Sequence, residues 1–589
     1  MNTKKVDTHV GDLVDMIARG ELRLPEMQRG YVWTSTRVRD LLDSLYRGYP
    51  SGAILVWETD RAQPSRDMAV SQVASPFSTD KLLLDGQQRL TSLSAVIRGE
   101  EIKVRNRKRP IQIAFNLDHP DGSRLEIDEV EDDVSPVQSE PDDETVVEGE
   151  DDDENTPSIL ERMRNRTFVV ANNAVLSSPS WVLVSDIFKG EKSDWALVKR
   201  LVSSPDDPKF EMYQKRLQRV RSIRNYPYVM QVVPRTVEYE EVAEIFVRVN
   251  SQGVKLRGSD LALALITARW PNSLKKFEEF IDECEDSSWF TLDLGLVVRN
   301  LIVHATRQSR FKTVGSLSKE TLEEAWDRSA HALRFAINFL KANAGVEDES
   351  LLSSPLFMIP IGVLATLKNE KLGREDERNL LRWLYVANAR GHYSGSSETK
   401  LDADLSLLFK GGNAAALMPV IESEFGRLHV EPEDLVSRGS RSALFSLAYL
   451  ALKHAGAKDW FTGLGLSLTH QGRYHWIQFH HVFPKAVLKK ADYDRAETNE
   501  IANMAFISGR TNQRLSSKPP EEYFDAIIKQ RGEEALEKQL IPMDRRLWKV
   551  ENYREFLSER RKKLAAAVND FIDQAYKTGS VPAVRDNGK

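Results

Sequence analysis

Two adjacent histidines, His480 and His481, begin the stretch of this chain whose residue types could do chemistry. A Val-Phe-Pro run follows the pair, and Asn503 and Asn512 lie further downstream. One imidazole can take a proton from water, and an amide can hold that ring by a hydrogen bond. The other imidazole and amide can help to hold a divalent cation against a phosphate. The spacing therefore predicts hydrolysis of a nucleic-acid backbone.

Each of these side chains receives a role in this interpretation. We expect His481 to be the general base, with its neutral tautomer set by a hydrogen bond to Asn503. We expect His480 and Asn512 to be ligands of Mg²⁺ or a similar cation. A hard cation prefers oxygen, so waters and the phosphate must supply most of its shell. The alternative is that all four are ordinary turn and core residues.

A second polar group lies far upstream, in the sequence Asp-Gly-Gln-Gln-Arg at residues 85–89. Free N–H groups at a helix start make a ready anion site, and Gly86 lets a phosphate approach closely. Arg89 adds a planar cationic fork, and Gln87 and Gln88 add amide donors. Asp85 could cap the helix, hold a nucleotide-bound metal ion or polarise water. Taken alone, Asp-Gly before a helix is only a cap and a turn.

Hydrophobic periodicity and turn residues predict the elements that must position these side chains. In the first half we expect strands or extended segments at 22–25, 53–57, 82–84, 111–115 and 226–233. We expect helices at 10–17, from 36 to about 48, through 90–97, at 239–249 and from about 259. Long helical patterns follow, for example at 277–281, 322–340 and 380–389. Near the C-terminus we expect strands at 476–482 and 504–508, a short helix containing Asn512, and a helix at 553–575.

These elements predict a multidomain α+β fold. Residues 1–270 are expected to form an α/β or α+β domain, and a resemblance to a known family implies that this domain binds nucleotide and senses DNA. Residues 271–455 form a helical connector, which either transmits a change of state or is inert spacing. Residues 456–589 form a strand–strand–helix finger (ββα-metal) followed by C-terminal helices.

The formal net charge of −6 hides an uneven distribution. The segment 126–156 contains sixteen acidic residues and no Lys or Arg, so the remainder of the chain carries +10. A basic body is expected of a protein that binds a phosphate backbone. The acidic insertion is predicted to be disordered. It is either a solvated surface loop or a nucleic-acid mimic that occupies the basic groove until a real target displaces it.

Composition also limits the class of protein. The single cysteine, Cys284, excludes an internal disulfide framework and a Cys-based zinc finger, and it fits a reducing cytoplasm. No signal peptide is visible, and the longest apolar stretch, 356–367, is shorter than the roughly 20 residues of a membrane helix. We therefore expect a soluble cytoplasmic protein without a membrane partner, and a homo-oligomer is left open.

The C-terminal pattern resembles that of the His-Me finger (HNH) nucleases. One branch of that family has His-Ile/Val-Phe-Pro, then Asn before an apolar strand, then a second Asn. The matching residues here are His481, Asn503 and Asn512. Family members often have glycine before the middle asparagine, where this chain has Ala502. They often have Asp or Glu before the base histidine, where this chain has His480.

The N-terminal segments resemble the ParB-like domain of the GmrSD family of modification-dependent (type IV) restriction enzymes. The hallmarks present are Gln-Arg-x-Tyr-x-Trp, Gly-x-Pro-x-Gly, Asp-Gly-Gln-Gln-Arg and Phe-x-Arg-x-Asn-x-x-Gly, at 28–33, 48–52, 85–89 and 246–253. The resemblance spans residues 10–265. It implies binding and hydrolysis of GTP, ATP or CTP at the first box, with Gln28 and Arg29 beside it. It also implies coupled cleavage of modified foreign DNA, either glucosylated or phosphorothioate, in defence against phage.

Several residues are candidates for contact with DNA. Tyr31 and Trp33 are either aromatic contacts to a base or an altered phosphate, or residues of the core. A basic run grips phosphates without reading sequence, or else forms a solvated hairpin tip. The basic residues assigned to DNA binding in this run and beside Asn512 are Lys103, Arg105, Arg107, Arg510 and Arg514.

The sequence thus predicts an NTP-regulated, metal-dependent DNA endonuclease that cleaves or nicks its target. The first alternative is a ParB-like DNA-binding regulator whose C-terminal finger has lost activity. The second is an RNA-directed toxin that uses the same finger.

Overall fold

The computed structural model describes most of the chain, with gaps. The described residues are 3–28, 30–31, 33–59, 65–68, 70–72, 81–100, 111–120, 163–251, 257–288, 290–440, 442–467, 477–515 and 517–580. Four predicted site residues and the acidic insertion 126–156 lie outside them, namely Arg29, Lys103, Arg105 and Arg107. The chain divides into two compact units, Met1–Lys275 and Lys276–Lys589.

A mixed sheet forms the centre of the first unit. Its strands, with those of a smaller sheet, are β1 (Lys4–His9), β2 (Leu22–Pro25), β3 (Ile54–Glu58), β4 (Ser65–Arg66), β5 (Lys81–Asp85), β6 (Ile113–Asn116), β7 (Phe168–Val170), β8 (Trp181–Leu183) and β9 (Pro227–Val233). The order is β1-β9-β3-β5-β2-β4 in the larger sheet and β7-β6-β8 in the smaller. The pairs β9–β3 and β5–β2 are parallel, and the other pairs are antiparallel.

Helices cover both faces of the larger sheet. They are α1 (Val10–Ala18), α2 (Ser35–Arg47), α3 (Gln87–Arg98), α4 (Asn173–Ser177), α5 (Val184–Lys189), α6 (Asp194–Val198), α7 (Pro208–Arg221), α8 (Tyr239–Ser251) and α9 (Gly258–Arg269). In β3, Ile54 and Val56 belong to one buried cluster, and Leu55 and Trp57 belong to another. Because alternate residues of a strand point to opposite faces, this central strand is buried on both sides. An uninterrupted apolar strand is the sequence signature of that arrangement.

The second unit is mainly helical. After α10 (Ser273–Ser288), which crosses the boundary between the units, its helices are α11 (Leu294–Thr306), α12 (Lys319–Ala342), α13 (Met358–Leu367), α14 (Arg374–Ala389), α15 (Ser397–Phe409), α16 (Met418–Phe425), α17 (Ala443–His454), α18 (Lys485–Lys490), α19 (Arg495–Thr498), α20 (Gly509–Leu515), α21 (Pro520–Arg531), α22 (Glu534–Glu537) and α23 (Tyr553–Thr578). Two strands, β10 (Ile477–His481) and β11 (Met504–Ser508), form an antiparallel pair.

The two units differ from the three predicted domains in one respect. The first boundary, at 275/276, lies close to the predicted 270/271. The predicted boundary at 455/456 does not separate compact units, because α23 packs against α14 and α17. The C-terminal helix thus joins the helical region and the finger into one packed body.

The mixed α+β character is as expected, and the predicted elements named above are confirmed within a few residues. The sequence did not predict β1 or two strands of the smaller sheet, β7 and β8. These strands are short or rich in polar residues, and they obtain their stability from pairing with distant segments. Within the described ranges, every helix is too short or too polar to cross a membrane.

Candidate active site

The predicted strand–strand–helix order is present at the C-terminal site. In the antiparallel pair, His480 lies opposite Ala505 and His481 lies opposite Met504. Strand β11 leads directly into α20, which carries Asn512. The pairing therefore brings residues that are 32 positions apart in sequence into contact.

His480 contacts Asn512 directly. Its Nδ1 lies 2.7 Å from Oδ1 of the Asn512 amide. The His480 side chain is buried, between the rings of Trp460 and Tyr523, and its Nε2 has no hydrogen-bond partner in the described part of the chain. Burial lowers the pKa of His480 to about 4, so this ring is neutral at pH 7.

His481 is half-buried and contacts a different asparagine. Its Nε2 lies 3.1 Å from Oδ1 of Asn499. Burial, together with the positive charge of Lys485, lowers the pKa of His481 to about 4. A neutral imidazole at pH 7 has a lone pair with which it can accept a proton.

Asn503 does not hold the ring of His481, and this prediction was wrong. The Asn503 amide is fully buried, where its Oδ1 accepts from the Phe483 N–H at 2.9 Å. Its Nδ2 donates to the carbonyls of Phe483 at 3.1 Å and Thr498 at 2.9 Å. Asn503 precedes β11 and pairs through its carbonyl with Val482, so its side chain faces the chain beyond the histidines. The Asn503 amide therefore stabilises the segment after the histidines, and Asn499 contacts the ring of His481.

The two predicted cation ligands, Nδ1 of His480 and Oδ1 of Asn512, lie 2.7 Å apart, at hydrogen-bond distance from each other. An amide oxygen only accepts, so in this arrangement the proton of the His480 ring is on Nδ1 and the lone pair is on the buried Nε2. A cation bound by Nδ1 and Oδ1 would have to replace that hydrogen bond. Among the described residues there is no cluster of three or more His, Cys, Asp or Glu able to hold a metal ion. A hard divalent cation needs about six oxygen ligands. Most of its shell would therefore have to be water and phosphate.

The sequence did not reveal Asp459, which holds the start of α20. This buried carboxylate accepts from the Ser508 N–H and the Thr511 hydroxyl, both at 2.7 Å. It also accepts from the Thr462 hydroxyl at 2.7 Å. Burial would raise the pKa of Asp459, but these donors outweigh it and lower the pKa. The carboxylate therefore stays charged and fixes the turn from which Asn512 projects.

The two arginines beside Asn512 are exposed on α20. Arg510 and Arg514 both face solvent, as a role in DNA binding requires. The guanidinium of Arg514 also stacks 3.9 Å from the centre of the Phe461 ring. This cation–π contact holds the charge at the surface, two residues after Asn512 in α20.

In the N-terminal box, Arg89 binds backbone and carboxylate groups of its own unit. Its guanidinium donates to the carbonyls of Ser51 and Ala53, the latter at 2.9 Å, and pairs with Asp85 at 3.2 Å. Asp85 does not cap α3, because the helix begins after Gly86 without a side-chain cap. The Asp85 side chain is partly exposed. Arg89 thus ties the turn at 51–53 to the start of α3.

Two of the glutamines predicted to bind nucleotide, Gln28 and Gln88, are also used within the fold. Gln28 is buried and donates from Nε2 to the carbonyls of Leu83 and Leu84 in β5, the latter at 2.9 Å. Gln88 accepts from the Trp33 N–H at 3.2 Å and donates to the Gly30 carbonyl at 3.3 Å. Both amides hold the segment 28–33 against the β5–α3 corner.

The two aromatic residues of that segment, Tyr31 and Trp33, differ in how far they are buried. Tyr31 is 6% exposed, belongs to the core of the first unit and hydrogen-bonds Ser92 through its hydroxyl at 2.8 Å. The core alternative therefore applies to Tyr31, and its predicted DNA contact is not supported. Trp33 packs partly buried against the same core. Gln87, at the first position of α3, is also buried.

Comparison with known proteins finds a similar domain in the N-terminal part of the chain. Residues 10–267 match the family model described as the GmrSD restriction endonuclease, N-terminal domain. This part of the chain is therefore similar to that N-terminal domain.

A relative matches along most of the chain. The uncharacterized protein MJ0686 of Methanocaldococcus jannaschii is 20% identical over 544 residues, which cover 88% of this chain and 86% of that protein. The similarity therefore extends beyond the N-terminal domain into the second unit.

Proposed function

We propose that this protein is an NTP-regulated, metal-dependent DNA endonuclease that cleaves or nicks modified foreign DNA, as in bacterial defence against phage. The observation that carries the proposal is the meeting of two neutral histidines, His480 and His481, with the amides of Asn512 and Asn499. The family match of residues 10–267 supports DNA as the substrate.

The chemical step uses His481 as the general base. A water molecule attacks the phosphorus atom and gives its proton to the neutral imidazole, while the bond from phosphorus to the leaving oxygen breaks. A divalent cation such as Mg²⁺, held by His480 and Asn512, would neutralise charge on the phosphate and the leaving oxygen. Arg510 and Arg514 would bind neighbouring phosphates without reading the sequence.

Regulation would come from the N-terminal box. A nucleotide phosphate would bind the backbone N–H groups at the start of α3, beside Gly86 and the partly exposed Asp85. A ligand phosphate that draws Arg89 away would release the carbonyls of Ser51 and Ala53. Nucleotide would drive a change of state if it bound more tightly to the protein with that turn in one position than in the other.

A nicking assay tests the proposal. Supercoiled unmodified, glucosylated and phosphorothioate DNA would be incubated with Mg²⁺, with GTP, ATP and CTP each present or withheld. The His481→Ala variant should lose about 10²- to 10⁴-fold in rate, the contribution expected of a general base. His331→Ala is the matched control, because this histidine is exposed on α12.

The other outcomes identify the alternatives. Cutting that persists in His481→Ala would reject His481 as the base. Binding of DNA without cutting under every condition would indicate the regulator, and cutting of RNA alone would indicate the toxin.

The cation site has its own test. Asn512→Ala should raise the Mg²⁺ concentration needed for half-maximal nicking about 10- to 100-fold, a range seen when groups around a metal are removed. Asn512→Asp keeps an oxygen ligand and should not show that increase. Equal Mg²⁺ requirements for both variants and the wild type would remove Asn512 from the proposed site.

A further inference from the structure

The amide of Asn499 has one orientation that its surroundings allow. Asn499 follows α19, and its Nδ2 donates to the carbonyl of Arg495 at 3.0 Å. A flipped amide would direct Oδ1 at that carbonyl and set two acceptors against each other. The oxygen of Asn499 therefore faces Nε2 of His481, at 3.1 Å.

This orientation determines which nitrogen of His481 carries the proton. An amide oxygen only accepts, so the contact requires an N–H at Nε2. A neutral imidazole has one N–H and one lone pair, which leaves the lone pair on Nδ1. We infer that Asn499 is a positioning residue that holds His481 in the Nε2–H tautomer and makes Nδ1 the atom that accepts a proton from water. Its catalytic consequence rests on the proposed nuclease function.

The segment that carries Asn499 is firmly held. The neighbouring Glu500 is fully buried, and Arg561 of α23 donates to both of its carboxylate oxygens at 2.6 and 2.7 Å. Glu500 also accepts from the Ser437 N–H at 3.0 Å. The Ile501 N–H donates to the carbonyl of Arg438 at 2.7 Å. Because the backbone on the C-terminal side of Asn499 is fixed, Oδ1 of this residue cannot move with the ring of His481. A single amide can therefore select one tautomer of that ring.

The tautomer can be measured without any enzymatic assay. The full-length protein labelled with ¹⁵N-histidine would be examined by NMR, and subtraction of the His481→Ala spectrum assigns the ring. Wild type should show Nε2 protonated and Nδ1 unprotonated. Asn499→Leu, which has a similar shape but no acceptor, should give a mixture of the two tautomers. Asn499→Asp loses the donor to the Arg495 carbonyl but keeps an acceptor for His481, so Nε2 should stay protonated.

Kinetics provide the second measurement. Asn499→Leu should lower kcat for nicking about tenfold, the effect of losing one hydrogen bond to the reacting group, with KM little changed. Asn499→Asp should recover most of kcat. Asn413→Leu is the control for the substitution itself, because Asn413 is exposed and its side chain makes no capping hydrogen bond.

Two results would overturn the inference: an Nδ1–H tautomer of His481 in the wild type, or an unchanged tautomer in a folded Asn499→Leu variant. A wild-type Nε2–H tautomer that Asn499→Leu disturbs supports the positioning role. If the same protein nicks no DNA or RNA, the proposed function fails and the assignment of the ring stands.

Discussion

At the scale of single residues, the contact with His481 that the sequence predicted for Asn503 is made by Asn499, a residue that the sequence analysis did not single out. Asn499 contacts the ring of His481, and Asn503 is buried against the backbone of Phe483 and Thr498. The first would act on the orientation of His481, the proposed base, and the second acts on the stability of the segment that follows the histidines. Substitutions at the two positions should therefore change different measurements.

Asn503→Ala should unfold more easily. Loss of its three hydrogen bonds leaves one N–H and two carbonyls unpaired in the core, and we expect the free energy of unfolding to fall by about 2–4 kcal/mol. Urea denaturation of the full chain measures the change. Asn503→Asp keeps the acceptor for the Phe483 N–H but sets an oxygen against the carbonyls of Phe483 and Thr498, so it should be no more stable than the alanine variant. Unchanged stability with lost nicking would mean that Asn503 acts on the chemistry.

At the scale of elements, the corner between β5 and α3 depends on the backbone of Gly86. Its φ of 102° lies in the region that favours glycine, and a Cβ there would lie 2.6 Å from Cδ1 of Ile54 in β3. The turn can place α3 against the sheet only without a side chain.

Gly86→Ala should destabilise the protein by about 1–3 kcal/mol, because strain in the backbone adds to the close contact with Ile54. Gly30→Ala is the matched control in the same region, where a Cβ would meet no atom within 4 Å. Thermal unfolding of the two variants should differ. Equal midpoints would show that the corner relaxes around a side chain.

A second element-scale feature is an ion cluster that joins the turn after α14 to α15 and α16. The fully buried ring of His392 lies 2.6 Å from Glu424 through Nδ1 and 3.0 Å from Asp404 through Nε2. Tyr393 donates its hydroxyl to the same Asp404 oxygen at 2.7 Å. Burial alone would lower the pKa of His392, but the hydrogen bonds and charges of both carboxylates outweigh it and raise the pKa.

This shift predicts a pH-dependent contribution to stability. Because the folded pKa of His392 lies above its unfolded value of about 6.5, the stabilisation is complete below pH 6.5 and is lost as pH rises through the folded pKa. His392→Gln should cost about 3–5 kcal/mol at pH 6 and less at high pH, in urea denaturation at a series of pH values. His331→Gln, on the exposed face of α12, is the control. A cost that does not vary with pH would contradict a charged ring.

At the scale of the whole molecule, charge is divided between the acidic insertion 126–156 and a basic remainder. The chain carries −6, and it would carry +10 without the sixteen acidic residues of the insertion. Removal of sixteen negative charges strengthens the long-range attraction between the protein and DNA, whatever the fold of the insertion.

Replacement of those sixteen residues by Ser and Gln at constant length should tighten binding of duplex DNA about tenfold or more if the insertion competes for the DNA site. Fluorescence anisotropy across a salt series measures the affinity. A long-range effect of charge alone should disappear near about 0.15 M salt, where the Debye length is about 8 Å. If the wild type and the substituted protein bind DNA equally well at that salt concentration, the hypothesis that the insertion mimics a nucleic acid is rejected.

The sequence by itself determined the elements that carry the candidate site and the contact between two of its residues, His480 and Asn512. Periodicity and turn residues are local properties, so they located β10, β11, α20 and the box at residues 85–89. The positions of His480 and Asn512 followed, because a strand pair leading into a helix brings them together.

Only the tertiary structure decided which groups meet. Asn499 lies between the two strands without a periodic pattern to mark it, and the return of the chain brings it to His481. The fork of Arg89 meets the carbonyls of Ser51 and Ala53, and Gln28 meets those of β5. Every residue has a backbone carbonyl, so residue types cannot reveal which of these acceptors a side chain will reach. The direction of each carbonyl is fixed by the fold, and the partners of these polar side chains follow from that.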